Sequence, residues 1–121
     1  MGVGYNALYA FTSGQLNTAV GRDAGANLTT GTQNTFIGAS AGNQLTSQNY
    51  NTFVGAGAGY GVDGGDGSNV AIGRECLYYG DNNANNMVMG NLALYGTSGG
   101  GNNAYRNVAI GTSALQNTST G

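Results

Sequence analysis

Five acidic side chains carry most of the chain's capacity for chemistry: Asp23, Asp63, Asp66, Glu75 and Asp81. Two carboxylates are enough for glycoside hydrolysis, in which one acts as the acid and the other as nucleophile or base. The three aspartates between positions 63 and 81 are the candidates for such a pair. The sequence has no histidine to act as a base, and glycines flank these aspartates and leave their carboxylates without fixed geometry. We therefore expect no catalytic site.

The same region resembles a cation-binding loop only in composition. The segment Val62-Asp-Gly-Gly-Asp-Gly-Ser68 places oxygen ligands among glycines, which suits a hard cation such as calcium. Its spacing matches neither the EF-hand loop nor the nonapeptide calcium-roll motif. We expect a polar surface turn and predict no metal and no cofactor.

The single cysteine is a candidate nucleophile that the surrounding residues do not activate. Cys76 occupies the repeat position that alanine fills elsewhere, and neither a histidine nor a lysine exists to lower its pKa. It is expected to be a small buried apolar residue.

The elements that must position these groups follow a repeated five-residue phrase that runs from Asn to Gly. Its successive copies are 17, 17, 18, 17 and 21 residues apart and begin at Asn17, Asn34, Asn51, Asn69, Asn86 and Asn107. A fixed period indicates one supersecondary unit stacked on itself. We expect residues 1–121 to form a single repetitive β-solenoid segment of about seven 17-residue coils. Because the first copy, Gly2-Val-Gly4, is cut short, we expect a piece of a longer fibre.

The amino-acid composition argues against two kinds of partner, nucleic acids and membranes. With 24 glycines, no proline and only 7% charged residues, the chain cannot build a wide packed core. Its basic residues are Arg22, Arg74 and Arg106, too few to bind a phosphate backbone, so we expect no nucleic-acid partner. No run of about 18 apolar residues is present, so we expect no membrane insertion.

In each phrase successive side chains point to opposite faces, as they do in a β-strand, and both faces are apolar. One face carries pairs such as Thr35 and Ile37, and the other carries residues such as Phe36. A strand that is apolar on both sides predicts burial on both sides, one against the coil interior and one against another chain. After the closing glycine we expect a tight turn or close backbone approach, and then a second short strand that begins at the alanine.

The opening Asn of each phrase is expected to be structural. Identical Asn side chains stacked along a solenoid form hydrogen-bonded ladders, and Asn also tolerates a left-handed backbone at a corner.

Two pairs of charged residues lie just after the closing glycine of their repeats, Arg22-Asp23 and Arg74-Glu75. Charges are scarce in this chain, so the coincidence is consistent with ion pairs between chains that set register. Solvated surface turns are the alternative, and the sequence leaves both open.

Irregular loops supply the candidate receptor contacts. Exposed tyrosines in solenoid loops can stack on sugars or dock proteins. The alternative is that the tyrosines cover coil edges or fill a seam between chains. The candidates are Tyr60, Asp63, Asp66, Tyr78, Tyr79, Tyr95, Asn102, Tyr105 and Arg106.

The phrases Asn17-Thr-Ala-Val-Gly21 and Asn107-Val-Ala-Ile-Gly111, each followed by x-x-Ala, resemble the head repeats of YadA-type trimeric autotransporter adhesins. The longer stretch over residues 28–38, Leu-Thr-Thr-Gly-Thr-Gln-Asn-Thr-Phe-Ile-Gly, is even more similar to repeats in bacteriophage tail fibres. The resemblance implies an all-β, left-handed parallel β-roll that assembles as a homotrimer, intertwined or side by side, on a virion tail fibre or a bacterial cell surface.

Together these features predict a non-enzymatic structural and attachment segment that holds or displays loops for a cell-surface glycan or protein receptor. One alternative is a tail fibre segment that degrades polysaccharide. Another is an ice-binding β-solenoid, because Thr18, Thr35 and Thr52 would form a column on a flat face. That column stops at Val70, whereas an ice-binding surface should continue along the rod.

Overall fold

The computed structural model describes residues 1–62, 64–80, 83–96 and 104–116, which contain strands and turns and no helix. The strands are short because each repeat offers only a few residues before its closing glycine. They are β1 (Gly2–Val3), β2 (Thr18–Val20), β3 (Thr35–Ile37), β4 (Thr52–Val54), β5 (Gly61–Val62), β6 (Val70–Ile72), β7 (Tyr79–Gly80), β8 (Met87–Met89) and β9 (Val108–Ile110).

Seven of these strands form one parallel sheet in the order β1-β2-β3-β4-β6-β8-β9. Each strand pairs with the equivalent strand of the next repeat, so that Thr18 is opposite Thr35 and Phe36 is opposite Phe53. The longer repeats do not disturb the sheet, since the same register continues through β6, β8 and β9. The chain is an all-β solenoid of parallel strands, which confirms the predicted fold class, and it has about six turns where about seven were expected.

The closing glycines allow this close stacking. Gly38 has a φ of 135°, and a Cβ atom there would lie 2.5 Å from the carbonyl oxygen of Gly55 in the next coil. Only glycine fits both the backbone conformation and the contact. The close backbone approach predicted at this position is confirmed.

The interior of the coil is lined by the middle residue of each three-residue strand. These residues are at most 2% exposed and are Ala19, Phe36, Phe53, Ala71, Val88 and Ala109. The column of small residues three positions after each closing glycine faces the same space, with Ala24, Ala41, Ala58, Cys76 and Ala93 fully buried. The strand side that carries Thr35 and Ile37 is therefore the outer one.

In two neighbouring coils, the middle residue of the strand and the residue four positions after the closing glycine exchange large and small side chains. Phe36 and Phe53 stack with ring centroids 5.7 Å apart. In the Phe53 coil the residue four positions after the closing glycine is Gly59, and a Cβ added there would overlap the Phe53 ring. In the next coil the strand residue is Ala71, and the corresponding position is the buried Leu77. The leucine replaces the volume that the phenylalanine ring fills one coil earlier.

The prediction that a second short strand begins at the alanine is wrong. The chain after each closing glycine makes successive turns, as in the hydrogen bond from Ala41 N–H to Gly38 O at 3.2 Å. Positive φ angles at alternate positions, such as 57° at Ser40 and 61° at Gly42, prevent an extended conformation. Among the described residues, β5 and β7 form a second, two-stranded parallel sheet, and they lie further along the repeat.

The predicted Asn ladder is confirmed. The side-chain oxygen of Asn34 accepts hydrogen bonds from both the N–H and the Nδ2 of Asn51, at 3.0 and 3.1 Å. The pattern recurs from Asn17 to Asn34, from Asn51 to Asn69, from Asn69 to Asn86 and from Asn86 to Asn107. The left-handed conformation expected of these Asn residues falls instead on the residue before each of them, for example Leu16 and Tyr50.

Candidate functional site

Three tyrosines from successive coils stack in a column on the solenoid. Tyr60, Tyr78 and Tyr95 each lie five residues after a closing glycine, and we call them the tyrosine column. The Tyr60 and Tyr78 rings are 4.9 Å apart with an interplanar angle of 9°, and the Tyr78 and Tyr95 rings are 5.1 Å apart at 12°. Tyr79 contacts Tyr78 and Tyr95 edge-on, at 4.6 and 5.8 Å. Four of the sequence-predicted residues are thus brought together.

Backbone hydrogen bonds between coils hold the column in register. Gly61 N–H donates to Tyr78 O at 2.7 Å, and Tyr79 N–H donates to Tyr95 O at 3.0 Å. Gly61 and Tyr79 are also paired residues of β5 and β7. The ring spacing therefore follows the spacing of the coils.

The stacking decides which surface of these rings a ligand could use. A sugar stacks on an open ring face, but the faces between Tyr60, Tyr78 and Tyr95 contact one another. Burial, followed by interaction with neighbouring Tyr79, raises the pKa of Tyr78 and Tyr95, so these phenols remain neutral at physiological pH. The geometry favours the alternative that these tyrosines cover coil edges.

The two charged pairs lie on the surface and are paired within the chain. Arg22 and Asp23 approach to 3.5 Å, and Arg74 and Glu75 to 3.2 Å. Arg74 Nε also donates to Asn91 Oδ1 at 3.2 Å. Each arginine contacts the acid beside it in the same chain, and the pairing between chains stays a prediction.

Tyr105 and Arg106 lie apart from the tyrosine column, at the corner that leads into β9. Both are exposed, and Tyr105 is 48% exposed and pairs through its backbone with Ala84. No stacking of Tyr105 on another ring is seen among the described residues. Asp66 is exposed between β5 and β6. Asp63, Asp81 and Asn102 lie outside the described residues.

The outer side of the seven-stranded sheet, here called the outer strand face, is apolar and open. Its exposed side chains include Ile37, Ile72 and Met89, at 42%, 36% and 44%. The second column on this face runs from the half-buried Thr18, Thr35 and Thr52 to Val70, Met87 and Val108. None of the strand residues on this face is charged.

Groups that could support metal or nucleophilic chemistry are not assembled in the described ranges. Among those residues, no three His, Cys, Asp or Glu side chains lie close enough to hold a metal ion. Cys76 is buried with its Sγ 3.0 Å from Gly73 O, and burial raises the pKa of its thiol to about 11. The described ranges also contain no helix of the length and apolarity needed to cross a membrane.

Comparison of the chain with protein-family models, curated proteins and solved structures gave no match. The class of protein is therefore defined by the fold alone. The chain is a parallel β-solenoid with an internal Asn ladder and an open apolar outer strand face.

Proposed function

We propose that this chain is a non-enzymatic structural and attachment segment of a homotrimeric fibre. The observation that carries the proposal is the outer strand face, which presents two uncharged columns, one along all seven parallel strands and one along six of them. Parallel sheets are almost always covered on both faces, and large exposed apolar patches mark interaction sites. The coil covers only one face of this sheet.

A second copy of the same chain is the partner that fits this face best. Side chains such as Ile37 and Val54 recur at the strand spacing, so seven strands extend over about 29 Å along the stack. A partner with the same period can match every row, whereas a globular surface can match few. The number three and the left-handed coil come from the resemblance to YadA-type heads and phage tail fibre repeats.

Adding charge to the outer strand face is expected to separate the copies. In the Ile37→Lys/Ile72→Lys variant, assembly would bury two ammonium groups from every chain, so the variant should sediment as a monomer where the native chain sediments as a trimer. Leu16→Lys is the matched control, because Leu16 is 76% exposed and precedes β2 instead of lying on the face. Circular dichroism distinguishes a folded monomer from an unfolded chain.

Sedimentation of the native chain as a folded monomer would contradict the proposal. Thermal hysteresis by such a monomer would instead favour the ice-binding alternative, because the half-exposed Thr18, Thr35 and Thr52 lie on the same face.

For attachment, the corner formed by Tyr105 and Arg106 is the best-supported surface among the described candidates. Its ring is partly exposed and the arginine beside it is exposed, which suits a cell-surface glycan or protein. Three copies on one axis would multiply a weak contact through avidity. In this proposal the segment acts outside the cell, on a virion tail fibre or a bacterial surface.

Tyr105→Ala is expected to weaken attachment of the assembled protein by about tenfold or more, the effect of losing ~1.4 kcal/mol. Binding would be measured on immobilised bacterial-surface glycans and on whole cells. Tyr50→Ala is the control, because Tyr50 is 57% exposed at the corner before β4. Equal binding by both variants would remove Tyr105 from the site without affecting the assembly proposal. Release of oligosaccharide from the glycans would favour the polysaccharide-degrading alternative.

A further inference from the structure

We propose that the tyrosine column is a site of oxidative coupling, at which a one-electron oxidant joins neighbouring coils through a dityrosine bond. The proposal goes beyond the structural and attachment function and does not depend on it. Tyr78 is the central residue, because its ring stacks on both Tyr60 and Tyr95.

Proximity is the first argument. Coupling needs two tyrosyl radicals to meet, which for separate molecules is a rare second-order event. Here the ring centroids are held 4.9 and 5.1 Å apart in nearly parallel planes, so radicals formed on both rings already lie in contact. Holding two reactants in such an arrangement corresponds to a very high effective concentration.

The second argument is the way in which the backbone maintains this arrangement. The bond from Gly61 N–H to Tyr78 O and the bond from Tyr79 N–H to Tyr95 O join the three coils at the column itself. These bonds keep the backbones of the three tyrosines at the spacing of the coils, so the rings can separate only if a side chain rotates away from its neighbour. Other tyrosines, such as Tyr50, show no ring stacking among the described residues.

Access is the third argument. The tyrosines of the column and Tyr79 are partly exposed, so an oxidant in solution reaches them and water accepts the protons they release. The buried Cys76 lies away from solvent, with its thiol against Gly73 O, and does not compete as an exposed thiol would.

The reaction balances with the oxidant as the only added reagent. Each of two tyrosines gives one electron to the oxidant and its hydroxyl proton to water, which leaves two phenoxyl radicals. The radicals join through one ring carbon ortho to each hydroxyl. The hydrogen on each of these carbons then moves to the oxygen and restores the phenol. In total two electrons and two protons leave, and one carbon–carbon bond forms.

The product would link one coil covalently to the next. A bond between Tyr60 and Tyr78 joins the repeat that contains β4 to the repeat that contains β6, and a bond between Tyr78 and Tyr95 joins the latter to the repeat that contains β8. Either bond closes a loop and restricts the unfolded chain, so coupled protein should unfold at a higher denaturant concentration than untreated protein.

The test oxidises the folded full chain with a photo-excited ruthenium complex and persulfate, followed by trypsin digestion and mass spectrometry. Cleavage after Arg22, Arg74 and Arg106 places Tyr60 in peptide 23–74 and places Tyr78 and Tyr95 in peptide 75–106. A Tyr60–Tyr78 bond joins the two peptides. A Tyr78–Tyr95 bond leaves peptide 75–106 lighter by two hydrogens. We expect one or both products as the main cross-linked species.

Two variants and one labelling control identify the site. Tyr78→Phe keeps the ring and should abolish both products, whereas Tyr50→Phe should leave their yield unchanged. If Tyr78→Phe does not fold, Tyr60→Phe replaces it and should remove only the joined peptides. Oxidation of a mixture of isotope-labelled and unlabelled protein distinguishes bonds within a chain from bonds between copies. Main products at Tyr50 or Tyr105, the same yield in Tyr78→Phe, or products only between copies would overturn the proposal.

Discussion

Phe53→Ala is expected to lower the free energy of unfolding by about 3–5 kcal/mol, and adding Gly59→Leu should restore most of that loss. Phe53 is fully buried and stacks on Phe36, so truncation leaves a cavity in a core that is one coil wide. The double variant copies the arrangement one coil later, where Ala71 faces Leu77. A leucine fits the backbone at position 59, because Gly59 has a φ of 60° and Leu77 has a φ of 49°.

The control is Gly59→Leu alone. Its side chain would overlap the Phe53 ring, so this variant should also be strongly destabilised. Urea unfolding at one fixed protein concentration measures all four proteins, because association contributes to apparent stability. If the double variant is no more stable than Phe53→Ala, the two columns do not exchange volume and the core packs in another way.

This exchange of volume shows what the sequence could and could not predict about the fold. The period, the parallel pairing and the Asn ladder follow from spacing and residue type. The inner side of the strand could not be assigned, because Thr35 and Ile37 are as compatible with burial as Phe36. The assignment depends on the glycine at position 42, which lies against the Phe36 ring only after the turns have formed.

The error over the second strand has a related physical cause. Residues with positive φ in this segment include Ser40, Glu75 and Leu77, and side chains of these types do not predict a left-handed backbone. The conformation is imposed by hydrogen bonds between coils, such as that from Asp23 N–H to Tyr5 O at 2.8 Å. The conformational propensities of the residues in one repeat therefore do not show which hydrogen bonds its backbone makes with the adjacent coils.

Part of the candidate site can be predicted from the sequence. The sequence pattern identifies Tyr60, Tyr78 and Tyr95 as loop residues but does not by itself predict their stacking. The signal was their spacing of 18 and 17 residues, which matches the spacing of Asn51, Asn69 and Asn86. Residues that share an offset in a parallel solenoid become neighbours, so this match would have predicted a column. Tyr105 and Arg106 have a different offset and lie at a different corner.

Asn51→Ala is expected to cost about 3 kcal/mol or more, because it removes four hydrogen bonds and leaves the buried Asn69 N–H without a partner. The Asn51 side chain accepts from the N–H and the Nδ2 of Asn69, both at 3.1 Å, and it donates to Asn34 Oδ1 and Asn49 O, also at 3.1 Å. Alanine can replace none of these bonds, and the site is too deeply buried for bulk water to do so.

Asn107→Ala is the matched control, since Asn107 is only half-buried and its side chain donates to Asn86 at 3.3 Å. We expect this change to cost about 1 kcal/mol, the net value of one ordinary hydrogen bond. Urea unfolding at a fixed protein concentration would measure both variants. Because each internal rung is bonded to the rung before it and the rung after it, the cost should be large within the ladder and small at its last described member. Equal costs at the two positions would mean that the Asn side chains act as independent caps and that the coils are held together by the strands and the apolar core alone.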